Sequence, residues 1–167
     1  EILLNSAGQA RHSSALETTP QDFDAVLNIN LRAAYFLTQT IAKGLVQSRK
    51  RGSLINISSQ MAHVGGIERA AYCASKAAVE GFTKAMSIEF GKFGIRVNTI
   101  CPTFILTSLT KDSFADQTKK KWILEKIKLG RAGEVEDIMG AAIYLASEAS
   151  NLVTGASIMV DGGWTAD

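Results

Sequence analysis

Apolar positions fall into two alternating rhythms along the chain. Ile2 to Leu4, Ser53 to Ile57 (Ser-Leu-Ile-Asn-Ile), Ile95 to Ile100 (Ile-Arg-Val-Asn-Thr-Ile) and Ser157 to Val160 are short aliphatic runs. Each is bounded by polar or glycine positions, the mark of a buried strand. Between the first two runs, Phe23, Val26, Leu27, Leu31, Ala34, Tyr35, Leu37 and Ile41 recur at helical spacing. Thr19-Pro20-Gln21-Asp22 predicts where that helix starts: a hydroxyl cap, proline at the first helical position and a carboxylate in the first turn. Asn28 and Asn30 are poor helix formers inside this run, which predicts a local distortion or a side chain kept for its chemistry. A second long helix is expected from Ala70 to Phe90, ended by Gly91 to Gly94, and a further one from Glu134 to Ser147. From Thr103 to Arg131, Phe114, Trp122, Ile123 and Ile127 suggest short helices broken by polar turns.

Strands alternating with helices long enough to cross a sheet predict an α/β fold: a doubly wound parallel sheet, Rossmann-like, with right-handed crossovers and helices on both faces. There is no internal repeat and no linker long enough to divide two domains, so residues 1–167 read as one unit. An apolar strand follows Glu1 almost at once, and the expectation is that this is part of a longer protein.

Composition narrows the setting. Hydrophobic residues at 46% and charged residues at 20% fit a globular protein with a real core. A net charge of +2 is too small to imply nucleic acid as a partner. The basic runs Lys119-Lys120-Lys121 and Arg49-Lys50-Arg51 are short enough to be solvated surface. No apolar stretch reaches the ~20 residues of a membrane span, and no cleavable signal is visible. Cys73 and Cys101 form no Cys-x-x-Cys pair, so the expected setting is reducing and cytoplasmic, with both thiols in the core. His12 and His63 lie far apart without a ligand pattern beside either, so no metal site is expected.

The candidate chemistry is concentrated in Tyr72-Cys73-Ala74-Ser75-Lys76. Four-residue spacing puts Tyr72 and Lys76 on one helix face, one turn apart. Ser59 follows the strand that ends at Ile57, and the carboxyl ends of parallel strands are where ligands bind. The helix bearing Tyr72 and Lys76 starts on that side, so the three side chains can converge. A free phenol has a pKa of about 10, and a nearby cation lowers it. Lys76 is therefore expected to ready Tyr72 for proton transfer at a reacting oxygen, with Ser59 hydrogen-bonded to that oxygen. No side chain transfers a hydride, so a cofactor must.

Ser59 followed by Tyr72-x-x-x-Lys76 resembles the catalytic signature of the short-chain dehydrogenase/reductase family. Asn5-Ser6-Ala7-Gly8 resembles that family's Asn-Asn-Ala-Gly turn, with serine for the second asparagine. Ile29-Asn30-Leu31 matches the context of its helical asparagine, which in the family supports a water linking the lysine to solvent. Cys101-Pro102-Thr103-Phe104-Ile105-Leu106-Thr107 resembles its Pro-Gly segment, with Thr103 where glycine is usual, and Asp161-Gly162-Gly163 is also typical. The resemblance implies catalytic Asn30, Ser59, Tyr72 and Lys76. It implies contacts to NAD or NADP from Asn5, Ala7, Gly8, Tyr72, Lys76, Pro102, Ile105 and Thr107. Ser59, Gln60 and Tyr72 would meet the substrate, with His63 and Val64 near the pocket and a lid at 108–130.

The family's first strand, glycine-rich turn and helix, which hold the cofactor pyrophosphate, have no counterpart here, so the fold is expected to be incomplete at its N-terminal half. That leaves Ile2 to Leu4 as an unpaired apolar edge, and the choice between NAD and NADP unreadable. The implied activity is hydride transfer between NAD(P) and a small alcohol or ketone: a sugar, a polyol or a 3-oxoacyl thioester. The alternative is a non-catalytic truncated paralogue or fragment acting through a partner. Pairing of the long helices across a subunit interface, with Ala71, Ala74, Ala77, Ala78 and Gly81 allowing close approach, implies a homo-oligomer, a dimer or tetramer.

Overall fold

The computed structural model describes residues 1–166. Four strands, β1 (Ile2–Asn5), β2 (Gly52–Ile57), β3 (Ile95–Pro102) and β4 (Ser157–Val160), form one parallel sheet in that order. β3 runs past the expected Ile100 because Cys101 and Pro102 pair with Met159 and Val160. The period-two alternation of side chains then sorts the core onto two faces. Leu54 of β2 lies opposite Val97 of β3, and both pack against one set of helices. Ile55 and Ile100 point the other way.

The first connection is a helix in three pieces: α1 (Pro20–Leu27), a π-helical turn (Asn28–Ala33) and α2 (Ala34–Ser48). Thr19 caps it as expected, its hydroxyl accepting from the Asp22 backbone N–H at 3.1 Å. The π turn is the distortion that Asn28 and Asn30 predict, and such turns are frequent at functional sites. The second connection is α3 (Ala70–Gly91). Ala42 and Leu45 of α2 and Met86 of α3 close on Leu54, Ile95 and Val97.

The third connection departs from expectation. It passes through α4 (Lys111–Ala115) and α5 (Gln117–Lys126) to α6 (Val135–Ala146), whose Leu145 packs on Ile55 and Ile100, the opposite face. The strand order still advances in one direction, so this crossover has the opposite hand to the first two. The uniform handedness expected of such connections yields here because residues 103–134 carry the chain across the carboxyl edge of the sheet before α6 begins. Glu134 and Asp137 form a capping box that starts α6 on the new face.

After β4, Asp161 accepts hydrogen bonds from the backbone of Gly163 (3.0 Å) and Thr165 (2.8 Å). Gly162 and Gly163 take φ of 60° and 85°, conformations open to glycine. The motif therefore turns the chain so that Trp164 enters an aromatic cluster with Phe104 and Trp122. Among the described residues β1 has β2 as its one neighbour, and Ile2 and Leu4 are exposed along the other edge, as expected. No helix is long and apolar enough to cross a membrane.

Leu54 is fully buried where α2, α3 and β3 meet. Leu54→Ala is expected to lower the unfolding free energy by about 2–5 kcal/mol, measured by urea denaturation followed by circular dichroism.

Candidate active site

A cavity of about 550 Å³ opens at the carboxyl ends of β1, β2 and β3. Ser59 enters it from the end of β2, and Tyr72 and Lys76 from the first turns of α3. Gln60, Gly8, Pro102, Ile105 and Thr107 also line it. Asn5, Ala7 and Asn30 do not.

Lys76 is buried, and the one hydrogen bond of its ammonium among the described residues runs from Nζ to the Ile57 carbonyl at 2.9 Å. Burial pushes its pKa down to about 8, against smaller attractions from Cys101 and Glu80. The ammonium lies 5.8 Å from the centre of the Tyr72 ring. Tyr72 departs from the sequence expectation: its pKa is raised, not lowered. Burial dominates, a hydrogen bond with Ser59 opposes it, and the opposing cation is Arg69 rather than Lys76. Ser59 Oγ accepts from the Met61 backbone N–H at 3.1 Å, so its own proton is directed to Tyr72 or to a bound oxygen rather than to the backbone.

The two asparagines are structural clamps. Asn30, presented by the π turn, donates to Gln9 O (2.9 Å) and Ser75 Oγ (3.0 Å) and accepts from Gln9 N (2.8 Å). It thereby ties the loop after β1 to the helix that carries Tyr72 and Lys76. Asn5 donates to Asn56 Oδ1 at 3.0 Å, so its amide locks β1 to β2 rather than facing the cavity. Gly8 runs between the clamp and the lysine. A Cβ there would sit 3.5 Å from Asn30 Oδ1 and 3.6 Å from Lys76 Nζ, so the glycine keeps open the space in front of both.

Thr103, which stands where the resembling segment has glycine, causes no distortion: its N–H bonds Val160 O at 3.1 Å and its φ is not positive. The Ile105 carbonyl accepts from Thr110 Oγ1, and Leu106 N donates to Gly133 O at 2.8 Å, which holds the segment beside the cavity. Trp122 and Phe114 both pack in the aromatic cluster around Phe104 and Trp164.

Sequence reasoning missed several neighbours. Glu80, one turn beyond Lys76 on α3, is the one that helical spacing could have found. It accepts from Thr99 Oγ1 (2.9 Å), Cys101 Sγ (3.3 Å) and Ser157 Oγ. Burial pushes its pKa up, but these hydrogen bonds and one from Ser58 outweigh that and hold it below the ordinary range. Cys101 is pushed up to about 12, chiefly by burial, and stays a thiol. His63 Nε2 lies 3.6 Å from that sulfur, so the expectation of no ligand-type neighbour for His63 does not hold. Strand pairing and helix packing unite residues that the sequence keeps 38 and 21 positions apart. The trio is a hydrogen-bonded unit in which thiol and carboxylate satisfy each other. Arg69 and His12, at the cavity rim, were also missed.

Comparisons with known proteins match nearly the whole chain. A family model described as enoyl-(acyl carrier protein) reductase matches residues 1–165. The chain is 41% identical to 2-dehydro-3-deoxy-D-gluconate 5-dehydrogenase of Dickeya dadantii over 99% of this chain and 66% of that protein. It is 37% identical to L-xylulose reductase of Mesocricetus auratus over 98% of this chain and 67% of that one. Its structure superposes with a TM-score of 0.97 on gluconate 5-dehydrogenase from Burkholderia cenocepacia in complex with NADP and tartrate, 33% identical, over 100% of this chain and 65% of that one. The chain thus spans about two thirds of the length of the curated relatives it matches.

The buried ammonium generates a stability prediction. An unfolded lysine has a pKa near 10.5 and folded Lys76 about 8, so between these values the folded state holds fewer protons and stability rises with pH. Below pH 8 the full cost of the buried charge is present. Lys76→Met is expected to be more stable than the parent by on the order of 2–3 kcal/mol at pH 7, with the gap narrowing by pH 9.5. Urea denaturation at the two pH values measures it.

Proposed function

The chain belongs to the short-chain dehydrogenase/reductase family, and from that premise we propose that it forms the proton-transfer and substrate portion of an oxidoreductase moving a hydride between NAD or NADP and a hydroxyl or keto carbon of a sugar or polyol. The observation that carries the reading is the convergence of Ser59, Tyr72 and Lys76 on one cavity, with Asn30 clamping the helix that carries the last two. Bound NAD(P) would supply the hydride; the residues here supply the rest.

The donor set fits such a cofactor. The Lys76 ammonium has donors to spare beyond Ile57 O, Gly8 leaves room before it, and buried Thr103 Oγ1 has no protein partner. Lys76, Gly8, Pro102, Ile105 and Thr107 would hold the nicotinamide end, with Asn5 and Ala7 supporting the turn that carries Gly8. Tyr72 gives its hydroxyl proton to the carbonyl oxygen in reduction and takes it back in oxidation. Ser59 donates to the same oxygen and fixes its position. The hydrogen bond with Ser59 and the positive charge of Arg69 favour the phenolate that burial disfavours, so proton loss from Tyr72 leans on both.

Gln60 supports a polyhydroxy substrate over an acyl thioester. Its side chain is buried at the cavity wall with neither amide atom partnered, and an amide offering one donor and one acceptor suits a hydroxyl. Residues 108–130, which give Leu109, Thr110 and Ser113 to the cavity wall, would serve as the lid, with Val64 packed in the aromatic cluster that also holds Phe114 and Trp122. A non-catalytic product would have no use for a buried lysine and a half-buried tyrosine poised at a cavity. A groove between α2 and α3, lined by Tyr35, Val46, Phe82 and Phe93, suits pairing with a second copy in a dimer or tetramer. The two unpaired cysteines fit a cytoplasmic setting.

Tyr72→Phe tests the reading. Removing the hydroxyl is expected to lower kcat by about 10²–10⁴-fold while leaving the circular dichroism spectrum unchanged. NAD(P)H absorbance during oxidation of D-gluconate or xylitol follows it. Retention of more than about a tenth of the activity would contradict the assignment of the proton donor.

A further inference from the structure

Arg69 occupies the last position before α3, one turn ahead of Tyr72, and lines the same cavity. Its guanidinium lies 5.1 Å from the centre of the Phe104 ring, and Nη1 stands 3.1 Å from His12 Nε2. Among the described residues no carboxylate comes within ion-pair distance of it. The adjacent Glu68 takes a left-handed φ of 58° and pairs instead with Lys119 of α5 at 3.8 Å. An arginine that served packing alone would be expected to hold an acid, because a half-buried guanidinium without a counter-charge is costly. Here the guanidinium lies over the Phe104 ring and Nη1 meets His12, while Nε and Nη2 have no hydrogen-bond partner among the described residues.

A second observation points to the same ligand. Gln60 is buried with both amide atoms unpartnered, and Thr103 Oγ1 is buried and unpartnered as well; both residues line this cavity. Buried polar groups are rarely left without partners, and those that are call for a ligand or water. The cavity wall therefore presents a cation, an amide that can read a hydroxyl, and the proton-transfer pair of Ser59 and Tyr72.

We infer that Arg69 is the specificity-determining residue of this site and that the substrate is a sugar acid, its carboxylate held by the Arg69 guanidinium while a hydroxyl-bearing carbon faces Tyr72. This rests on the hydride-transfer reading above and narrows its substrate class. A planar fork matches a carboxylate with two parallel hydrogen bonds, a match that a neutral polyol lacks. The charge count agrees. His12 is held below its ordinary pKa, first by burial and then by Arg69, so beside it the Arg69 guanidinium is the cation that an anion would meet. The relatives divide on this point, since gluconates are acids and xylulose is neutral; Arg69 selects the acid branch for this chain.

Isothermal titration of the holoenzyme with D-gluconate and with D-glucitol, which differ at C1 in carboxylate against hydroxymethyl, tests the assignment. The parent protein is expected to bind gluconate about 10- to 100-fold more tightly than glucitol. Arg69→Met keeps the apolar stem over Phe104 and is expected to erase that preference, while Arg69→Lys keeps part of it. Equal binding of the two compounds by the parent, an unchanged preference in Arg69→Met, or a preference lost alike in the Met and Lys variants would each overturn the inference. Turnover is read separately from NAD(P)H absorbance. An Arg69-dependent preference without turnover of either compound would leave the carboxylate assignment standing and defeat the hydride-transfer reading. Turnover of both with no preference would do the reverse.

Discussion

Lys76 keeps an ammonium buried at the carboxyl edge of the sheet with a single backbone carbonyl as its partner. A charge in that position is tolerated only where the surroundings are rigid and polar enough to hold it, and much of the local structure is arranged to that end. Ser58 Oγ reaches the Lys76 carbonyl at 3.4 Å and pins α3 to the end of β2. Asn30 grips Ser75, the residue before the lysine. Glu80, held ionised by its hydrogen bonds, sits one turn behind and adds a favourable potential. The cost to stability is the counterpart of a cation placed 5.8 Å from the Tyr72 ring.

The same edge explains the unusual third crossover. To reach the far face, the chain must pass over the carboxyl ends of the strands, and it does so through Pro102 to Thr107 and the short helices α4 and α5. The detour that reverses the hand of the connection also roofs the cavity. Its anchor is aromatic: Phe104, Phe114 and Trp122 gather on Trp164, which the Asp161 turn delivers from the other end of the sequence. Site, roof and C-terminus are in this way one packing unit.

Much of this was legible in the chain itself. The strands, the cap at Thr19 and the helix breaks are local matters of period and propensity, and the structure follows them to within a residue or two. Asn28 and Asn30 foretold a distortion because poor helix formers in the middle of an apolar helical run need a reason. Tyr72 and Lys76 were found because four-residue spacing fixes neighbours on a helix regardless of what packs against it.

What the tertiary structure alone decided is everything that turns on burial and on contacts between distant segments. The sequence gives Lys76 the power to lower the pKa of Tyr72; the folded cavity desolvates the phenol and reverses the net shift. Asn5 looks like part of a ligand turn until the sheet places Asn56 beside it. Arg69 and His12 carry no shared pattern, yet the loop after β1 and the start of α3 bring them together at the rim. Period and spacing are properties of one element and survive in a sequence. Desolvation and long-range partners belong to the packed whole, where residues tens of positions apart set each other's charge.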